Sequence, residues 1–333
     1  MLRKIKICTF ILMLLTLPRL CPAMDIVPFQ IRNQNPVIQI FGMPTLSDAR
    51  VLPSGKYSTA FTFDLASNYV AENNATESLL LDGESYRFNL SLKGGFPGGL
   101  EAGIEVPYMA YGGGTVDGFI QDWHSFFGLP DGGRGQAPNN RLRYQYRRNG
   151  VARLSISAHK SGFGDSMFTG GWQCYGDAHT PQAMSLRAAV KIPTGDSGRL
   201  LGSGGTDLSL WLIGRSDHKL FQGNATLYGA MGGVYLSPGD ILRDMQRHWV
   251  AFGTVGAGWS PWKIISFSIQ LDATTAFYNN SSFSTFSGNT VGLLLGGAVA
   301  LGERTSLELG VGEDLAVSTW PDVTFHMGVT HRF

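Results

Sequence analysis

Residues 100–108 read Leu-Glu-Ala-Gly-Ile-Glu-Val-Pro-Tyr, in which apolar residues recur at every second position. Successive side chains of a β-strand point to opposite faces, so Leu100, Ile104 and Tyr108 share one face and Glu101 and Glu105 share the other. The stretch therefore predicts a strand with one apolar and one wet face.

The same alternation recurs in residues 86–93, 184–192, 265–272 and 323–329. Several of these segments reach the roughly 9–11 residues that a tilted strand needs to cross a bilayer. Their connections alternate between short turns and long loops, a pattern typical of transmembrane barrels. No segment after the N-terminal region has 18 consecutive apolar residues, which excludes transmembrane helices.

The sequence thus predicts an all-β fold, an antiparallel up-and-down transmembrane β-barrel. The expected number of strands is about 14, or about 12 if the hairpin around Asn149-Gly150 extends an outer loop. The predicted long loops are residues 70–82, 112–140, 194–206, 237–248, 277–289 and 312–320.

Composition agrees with a barrel. Charged residues make up 15% of the 333 residues, below the roughly one quarter of soluble domains, and 44 residues are glycine. Mean hydropathy is 0.00, far below that of a helical membrane protein and consistent with strands that are half apolar and half polar.

Residues 1–23 have the features of a cleaved signal peptide, with a basic start, an apolar run and a small-residue end at Ala23. Its removal takes away four basic residues and leaves 22 basic against 25 acidic residues, a formal charge of about −3. Cys174 then remains as the single thiol, so no internal disulfide is expected. The charge balance gives no indication of nucleic-acid binding.

Three units follow from this division. Residues 1–23 are the signal peptide, residues 55–333 form the barrel with a long external loop at 112–140, and residues 24–54 lie between them. This intermediate segment is rich in Asn and Pro and has no long amphipathic strand pattern. It is expected either to fold into the barrel as a plug or to lie in the periplasm.

The C-terminus resembles the terminal signal by which the bacterial barrel-assembly machinery recognises its clients. His326, Gly328 and the terminal Phe333 fit that signal, whereas His331 stands where an apolar or aromatic residue is usual. The resemblance implies the assembly machinery and outer-membrane lipid as partners, and the bacterial outer membrane as the location.

Four blocks resemble a family of Gram-negative outer-membrane β-barrel proteins catalogued as a domain of unknown function. They are residues 29–36 (Phe-Gln-Ile-Arg-Asn-Gln-Asn-Pro), 81–84, 100–108 and 122–134. The resemblance implies fold and location but no site residues. A looser likeness, in residues 162–165, 191–196, 202–207 and 321–323, is to barrels for uptake of aromatic and other hydrophobic compounds.

Several charged residues are expected to face the lumen. Arg141, Arg143 and Arg147 share one face of a predicted strand, and we expect Glu101 and Glu105 to oppose them across the barrel. Such a ring of charges would form an ion-selective constriction; alternatively, Arg and Glu side chains pair and fill the interior. The full set of lumen candidates is Arg87, Glu101, Glu105, Arg141, Arg143, Arg147, Arg153 and Arg187.

A second group of residues predicts an apolar outer-loop surface. Phe119, Ile120, Trp123, Phe126 and Phe127 recur at roughly helical spacing between glycine-rich flanks. They would form a surface that captures hydrophobic solutes, or a cap packed on the barrel rim.

The expected function is a channel or transporter for small, hydrophobic or aromatic solutes. One alternative is a non-conducting barrel that maintains the envelope. Another is a lipid hydrolase using His124-Ser125 or His159 with Ser161, although neither pair has an identifiable third partner to orient the base. The sequence indicates no catalytic set, no cofactor and no metal site.

Overall fold

The computed structural model describes residues 24–114, 118, 138–177, 180–316 and 319–333. The strands in these ranges are β1 (Tyr57–Asn73), β2 (Glu77–Phe96), β3 (Leu100–Gly112), β4 (Arg143–Arg148), β5 (Val151–Ile156), β6 (Lys160–Phe163), β7 (Ser166–Tyr175), β8 (Gln182–Ile192), β9 (Asp207–Leu220), β10 (Gly223–Leu236), β11 (Trp249–Trp262), β12 (Ile265–Thr274), β13 (Thr290–Ala300), β14 (Thr305–Ala316) and β15 (Val323–Arg332). Short helical turns occur at Ser197–Arg199 and Ser284–Ser287. Within the described residues, no helix is long and apolar enough to span a membrane.

Twelve of the described strands form a closed antiparallel barrel. Strands β1, β2 and β3 pair in sequence, β3 pairs with β7, and β7 to β15 then follow in chain order. The sheet closes where Ser58–Ser67 of β1 pair with Val323–Arg332 of β15. Closure leaves no free sheet edge in the wall, as a membrane-spanning sheet requires.

The main expectation of about 14 strands is wrong, and the alternative of 12 is confirmed. The hairpin around Asn149-Gly150, formed by β4 and β5, pairs with Glu77–Asp82 of β2 above the wall. Strand β6 pairs with Tyr108–Tyr111 of β3 and continues the line of β7 across a short irregularity.

The two ends of the barrel differ in their connections. At one end, called here the turn end, strands are joined by short segments such as residues 97–99, 221–222 and 263–264. The other, the loop end, carries longer connections, including residues 193–206, 237–248 and 275–289. Barrels of the outer membrane place short turns in the periplasm and long loops outside.

One predicted loop is a strand pair. Residues 70–82 were expected to be a long loop, but β1 continues to Asn73 and β2 begins at Glu77. Only residues 74–76 turn. This part of the hairpin extends into the loop end, where both faces meet polar or protein surroundings, so its hydrogen-bond ladder continues without an alternating apolar face.

The wall is polar inside and apolar outside. In β8, Ser185, Arg187 and Lys191 are buried, while Leu186 and Val190 are exposed. This is the reverse of a soluble protein and fits a wall whose outer face contacts lipid.

The main apolar cluster lies inside the barrel at the loop end. It joins inward-facing wall residues such as Leu81, Met109 and Trp211 to residues from the 24–54 segment, among them Ile40 and Phe41. The wall therefore does not enclose an empty lumen.

Candidate functional site: the filled lumen

Residues 24–54, called here the lumen segment, run through the barrel and back. Near the turn end, the Met24 amide donates hydrogen bonds to Ser260 Oγ (2.8 Å) and the Trp262 carbonyl (3.3 Å). The chain turns at residues 35–41 near the loop end, where Tyr278 Oη donates to the Val37 carbonyl (2.8 Å). It then returns to the turn end, where the Gly55 amide donates to the Gly95 carbonyl (3.0 Å).

The tip of the lumen segment is fixed by local hydrogen bonds. The Asn35 amide donates to Asn33 Oδ1 (2.8 Å), and the Val37 amide donates to Asn35 Oδ1 (3.1 Å). These side-chain bonds satisfy backbone amides in the turn, as Asn does in tight turns. They occur within the Asn- and Pro-rich block at residues 29–36.

The tip is apolar and packs against the loop end. Phe41 stacks on Phe277 with ring centroids 5.4 Å apart and meets Tyr278 edge-on at 5.7 Å. Val37, Ile38 and Ile40 are also buried in this cluster. The tip thus closes the lumen at the loop end by hydrophobic contact.

Glu105 on β3 binds both limbs of the lumen segment. Its Oε2 accepts from Arg32 Nη2 on the outward-running limb (2.8 Å), and its Oε1 accepts from Thr45 Oγ1 on the returning limb (2.7 Å). Side-chain exposures of 6% for Arg32 and 3% for Glu105 mark a fully buried ion pair. Arg87 is buried too, with Nη1 3.6 Å from Met109 Sδ.

Glu101 and Arg187 form a second buried pair, and they too contact the lumen segment. Arg187 Nη1 donates to Glu101 Oε1 (2.7 Å), and Arg187 Nη2 donates to the Asp48 carbonyl (2.7 Å). Glu101 Oε2 accepts from the Leu52 amide (2.9 Å). Four lumen candidates, Arg87, Glu101, Glu105 and Arg187, therefore lie inside the barrel, where Glu101 pairs with Arg187.

Lys191 lies at the centre of a further buried polar cluster. Its Nζ donates to Asp165 Oδ2 (2.5 Å), Ser203 Oγ (2.6 Å) and the Gly205 carbonyl (2.8 Å), and it lies 3.2 Å from Asp207 Oδ2. Asp207 Oδ2 also accepts from the Gly42 amide (2.8 Å). A Cβ on Gly42 would lie 2.7 Å from Asp207 Cβ, so only glycine allows this close approach.

Arg215 on β9 binds both limbs of the lumen segment near the turn end. Its Nη1 donates to both carboxylate oxygens of Asp48 (2.9 and 2.8 Å), and its Nη2 donates to Asp25 (2.9 Å) and Asp217 (2.7 Å). Asp217 in turn accepts from Arg50 Nη2 (2.6 Å). Hydrogen bonds between a guanidinium and a carboxylate are charge-assisted and are among the strongest polar contacts in proteins.

His326, one residue of the expected assembly signal, lies between two carboxylates. Its Nδ1 is 2.5 Å from Asp64 Oδ1 and its Nε2 is 2.7 Å from Glu308 Oε1, with the ring fully buried. When both carboxylates are ionised, both ring nitrogens donate and the ring is an imidazolium. Gly328 pairs with Thr62, and the Phe333 amide donates to the Tyr57 carbonyl (2.9 Å).

Two cavities adjoin the lumen segment. The larger, about 980 Å³, lies toward the turn end and is lined by small polar wall residues such as Ser266, Ser268 and Ser306. The smaller, about 40 Å³, lies between Arg32 and Trp320. A cavity of that size holds a few waters and not a solute.

The remaining lumen candidates correct the sequence interpretation. Arg143, Arg147 and Arg153 are exposed and Arg141 is partly exposed, whereas Tyr144 and Tyr146 on the opposite face are buried. The alternation was recognised, but its inward face is the tyrosine face, because the apolar tip of the lumen segment packs there. These arginines do not oppose Glu101 and Glu105.

The arginines outside the lumen pair with carboxylates of the loop end. Arg141 Nε donates to Asp82 Oδ2 (2.5 Å), and Arg153 donates to Asp244 in the loop at 237–248. The hydrogen bond from Arg153 lowers the pKa of Asp244 below its usual value, and the positive charge of Arg153 acts in the same direction.

Other candidates have simpler outcomes. Phe119, Ile120, Trp123, Phe126 and Phe127, with His124-Ser125, lie outside the described residues. His159 and Ser161 lie at the start of β6, near the loop end. In the described parts of the chain, no hydrogen bond joins His159 to Ser161.

The residues that sequence reasoning missed are the polar anchors of the lumen segment. Arg215, Asp217 and Asp48 were not singled out, and Lys191 entered only as part of the alternating stretch 184–192 and of the turn motif 191–196. A signal existed for Arg215 and Asp217, which are charged residues two positions apart at the end of an alternating strand. Their partners lie over a hundred residues away and leave no such pattern.

Comparisons with solved structures return outer-membrane β-barrels. An outer membrane channel from Pseudomonas putida F1, COG4313, superposes with a TM-score of 0.55 and 14% identity, over 86% of this chain and 98% of that chain. The NanC porin superposes with a TM-score of 0.45 and 8% identity, over 83% of this chain and 98% of that one. No curated protein matches the sequence.

At 14% identity, the likeness to the Pseudomonas channel shows the fold alone, which is that of an outer-membrane β-barrel. A family model described as "Protein of unknown function (DUF3187)" matches residues 4–333. Because that match spans almost the whole sequence, the chain belongs to the DUF3187 family.

Proposed function

We propose that the protein is a gated outer-membrane channel for small solutes, and that the lumen segment is its gate. The observation that carries the proposal is the path of residues 24–54, which fill the barrel and are held by side chains of both the wall and the loop end. Residues 1–23 would be removed as a signal peptide before the barrel is inserted.

The nature of the contacts supports a gate. Most anchors of the two limbs are polar, namely the contacts made by Glu105, Arg187, Asp207 and Arg215. Water that enters the barrel can solvate these groups when the segment moves, whereas a dry apolar core offers no such substitute. The cavity of about 980 Å³ gives the limbs room beside the wall at the turn end.

A relative supports the same activity by its description. The Pseudomonas barrel of similar fold is described as an outer membrane channel.

For cargo, we propose small apolar or aromatic solutes, on the basis of the outer-loop residues Phe119, Ile120, Trp123, Phe126 and Phe127. Capture at that loop would precede passage along a lumen lined by Arg and Glu.

A specific observation also favours a second candidate, a permanently closed barrel with a structural role in the envelope. The ion pairs of Arg32 with Glu105 and of Arg187 with Glu101 are almost fully shielded from solvent. Breaking such a pair is costly, at about 3–5 kcal/mol. The first of these pairs joins the segment to the wall directly, so a segment held by it and by the Arg215–Asp48 contact would stay closed.

Single-channel conductance in a planar bilayer separates the two candidates. We expect the mature protein to be closed or to open rarely, and the protein lacking residues 24–54 to conduct steadily. The double variant Ile40→Ser and Phe41→Ser weakens the tip while keeping the segment, and we expect frequent openings from it. Val151→Ser, at an exposed position on the β4–β5 hairpin, is the matched control.

The outcomes differ clearly. If the protein lacking residues 24–54 folds but does not conduct, the gated-channel proposal fails and the result favours the structural role. If the intact protein and the tip variant conduct equally and steadily, the lumen segment is not a gate. Resistance of the folded barrel to unfolding by detergent on a gel establishes that each variant has folded.

A further inference from the structure

We propose that the outward face of the β4–β5 hairpin binds phosphate groups on the sugars of a phosphorylated glycolipid in the outer leaflet. The proposal uses the outer-membrane orientation given above, with the loop end outside, and does not depend on conductance. It assigns a role to Arg143 and Arg147, which the sequence placed in the lumen but which lie outside it.

The hairpin region is strongly basic in an otherwise slightly acidic mature chain. Residues 138–160 contain no Asp or Glu, and their cations are Arg141, Arg143, Arg147, Arg148, Arg153 and Lys160. Three of the arginines meet carboxylates, with Arg141 near Asp82, Arg148 near Glu77 and Arg153 near Asp244.

Arg143 and Arg147 have no carboxylate partner among the described residues. Arg143 Nη2 donates to Gln145 Oε1 (2.9 Å) and Arg147 Nη2 donates to the Gly150 carbonyl (2.6 Å), so both partners are neutral. Each guanidinium has five donors, and most remain open for a planar or tetrahedral anion.

The two arginines point away from the lumen. The inward face of the hairpin carries Tyr144 and Tyr146, both fully buried, while Arg143 and Arg147 are exposed on the other face. Strand β4 pairs with β2, so Arg143 and Arg147 lie on the outward side of this extension of the wall. A solute that approaches the barrel mouth would not meet it first.

The distance of Arg143 from the apolar surface of the barrel favours a phosphate carried on a sugar over the phosphate of a simple phospholipid. Tyr108 and Phe163 are exposed rings 5.5 Å apart that mark the outer edge of the apolar surface, and Tyr108 pairs with Phe88. In the register of the sheet, Arg143 lies opposite Asp82, which is six positions beyond Phe88 along β2. At about 3.4 Å per residue and a tilt of about 45°, it lies about 14 Å further out.

A headgroup layer of an ordinary bilayer is only about 5–8 Å thick on each side. Arg143 therefore lies beyond phospholipid phosphate and within the depth of a layer of phosphorylated sugars. Arginine suits such a ligand because its planar fork can bind two phosphate oxygens at once.

The test is titration of the full mature protein in detergent with a lipopolysaccharide whose core sugars carry phosphate and with the same lipopolysaccharide after phosphatase treatment, followed by native mass spectrometry. We expect the phosphorylated lipid to bind more tightly to the wild type. The double variant Arg143→Gln and Arg147→Gln should bind it about 25-fold more weakly, or about fivefold for each arginine. The variant Arg143→Lys and Arg147→Lys should retain most of the binding.

The control is Lys263→Gln with Arg304→Gln, which removes two exposed cations at the turn end. Equal binding of both lipids by the wild type overturns the proposal, as does unchanged binding by the glutamine variant. An equal loss in the turn-end control also overturns it, because net charge and not the hairpin would then be responsible. The comparison of the two lipids on the wild type stands even if a variant fails to fold.

Discussion

At the residue scale, single side chains join parts of the lumen segment that are far apart in sequence. Arg215 is the clearest example, since one guanidinium contacts Asp25 on the outward-running limb and Asp48 on the returning limb. Its own side chain is 3% exposed, whereas Asp25 is 39% exposed. The contact with Asp48 therefore contributes most to holding the segment.

Replacing Arg215 by methionine tests this role. The substitution keeps much of the side-chain length but leaves Asp48 and Asp217 without their main cation. We expect the free energy of unfolding to fall by about 3–5 kcal/mol, as when one partner of a buried ion pair is removed. Denaturant unfolding of the protein in lipid vesicles, followed by tryptophan fluorescence, measures the change.

Arg199→Met is the control for that experiment, because Arg199 is exposed and forms no ion pair among the described residues. Its effect should stay within about 0.5 kcal/mol. If Arg215→Met lowers the free energy of unfolding no more than Arg199→Met does, the contacts of Arg215 contribute little to stability.

At the element scale, the β1–β2 hairpin is longer than its sequence suggests. The turn at residues 74–76 is organised by Asn74, whose Oδ1 accepts from the amides of Thr76 (2.8 Å) and Glu77 (2.7 Å). These contacts end one strand and begin the next.

We expect Asn74→Ala to lower the free energy of unfolding by about 1 kcal/mol, because two turn amides lose their acceptor and gain only water. The same denaturant titration measures it. Asn73→Ala changes the same residue type one position earlier, where the side chain is exposed and bonds to nothing in the described structure. Equal effects from both variants would remove the special role of Asn74.

Alternation predicted those elements whose two faces meet different media. Strands β3, β8, β12 and β15 cross the bilayer, so lipid on one side and polar side chains on the other impose a period of two. The outer part of β2 and all of β4 lie beyond the bilayer, where the outward face no longer meets lipid and the inward face packs in the apolar cluster at the loop end. That is why residues 70–82 resembled a loop and why the arginine face of β4 was assigned to the lumen.

At the scale of the whole molecule, wall and lumen segment share one set of buried charges. Glu105 belongs to the wall, but Arg32 and Thr45 of the segment are its partners. The stability of the barrel and the position of the segment should therefore be coupled.

We expect Glu105→Gln to cost about 3 kcal/mol in the intact protein, because Arg32 is left buried without its counter-charge. In the protein lacking residues 24–54, where water replaces Arg32, the same substitution should change stability by less than about 0.5 kcal/mol. The difference between these two values is the coupling energy of a double-mutant cycle.

Glu303→Gln, an exposed turn position, should have little effect in both backgrounds. If Glu105→Gln costs the same with and without the lumen segment, the segment does not share its stability with the wall.

The general fold was predictable from the sequence, whereas most of the site was not. The barrel class follows from alternation that depends on neighbours two residues apart. The anchors at Arg215, Asp207 and Glu105 depend on pairings with a segment that has no periodic pattern, so the two limbs could not be matched to their strands. Residues 29–36 drew attention by their composition, but their position at the outward-running limb and tip emerged only from the three-dimensional contacts.

The continuity of the lumen segment with β1 has a consequence for the order of assembly. β1 and β15 complete the ring only after β15 has been synthesised, whereas residues 24–54 are synthesised before every strand of the barrel. The segment continues into β1 at one end and is hydrogen-bonded to the wall at Met24 at the other, so it can occupy the interior before β1 and β15 pair. We therefore expect the ring to close around a segment that is already in place, so that the protein brings its own filling into the membrane.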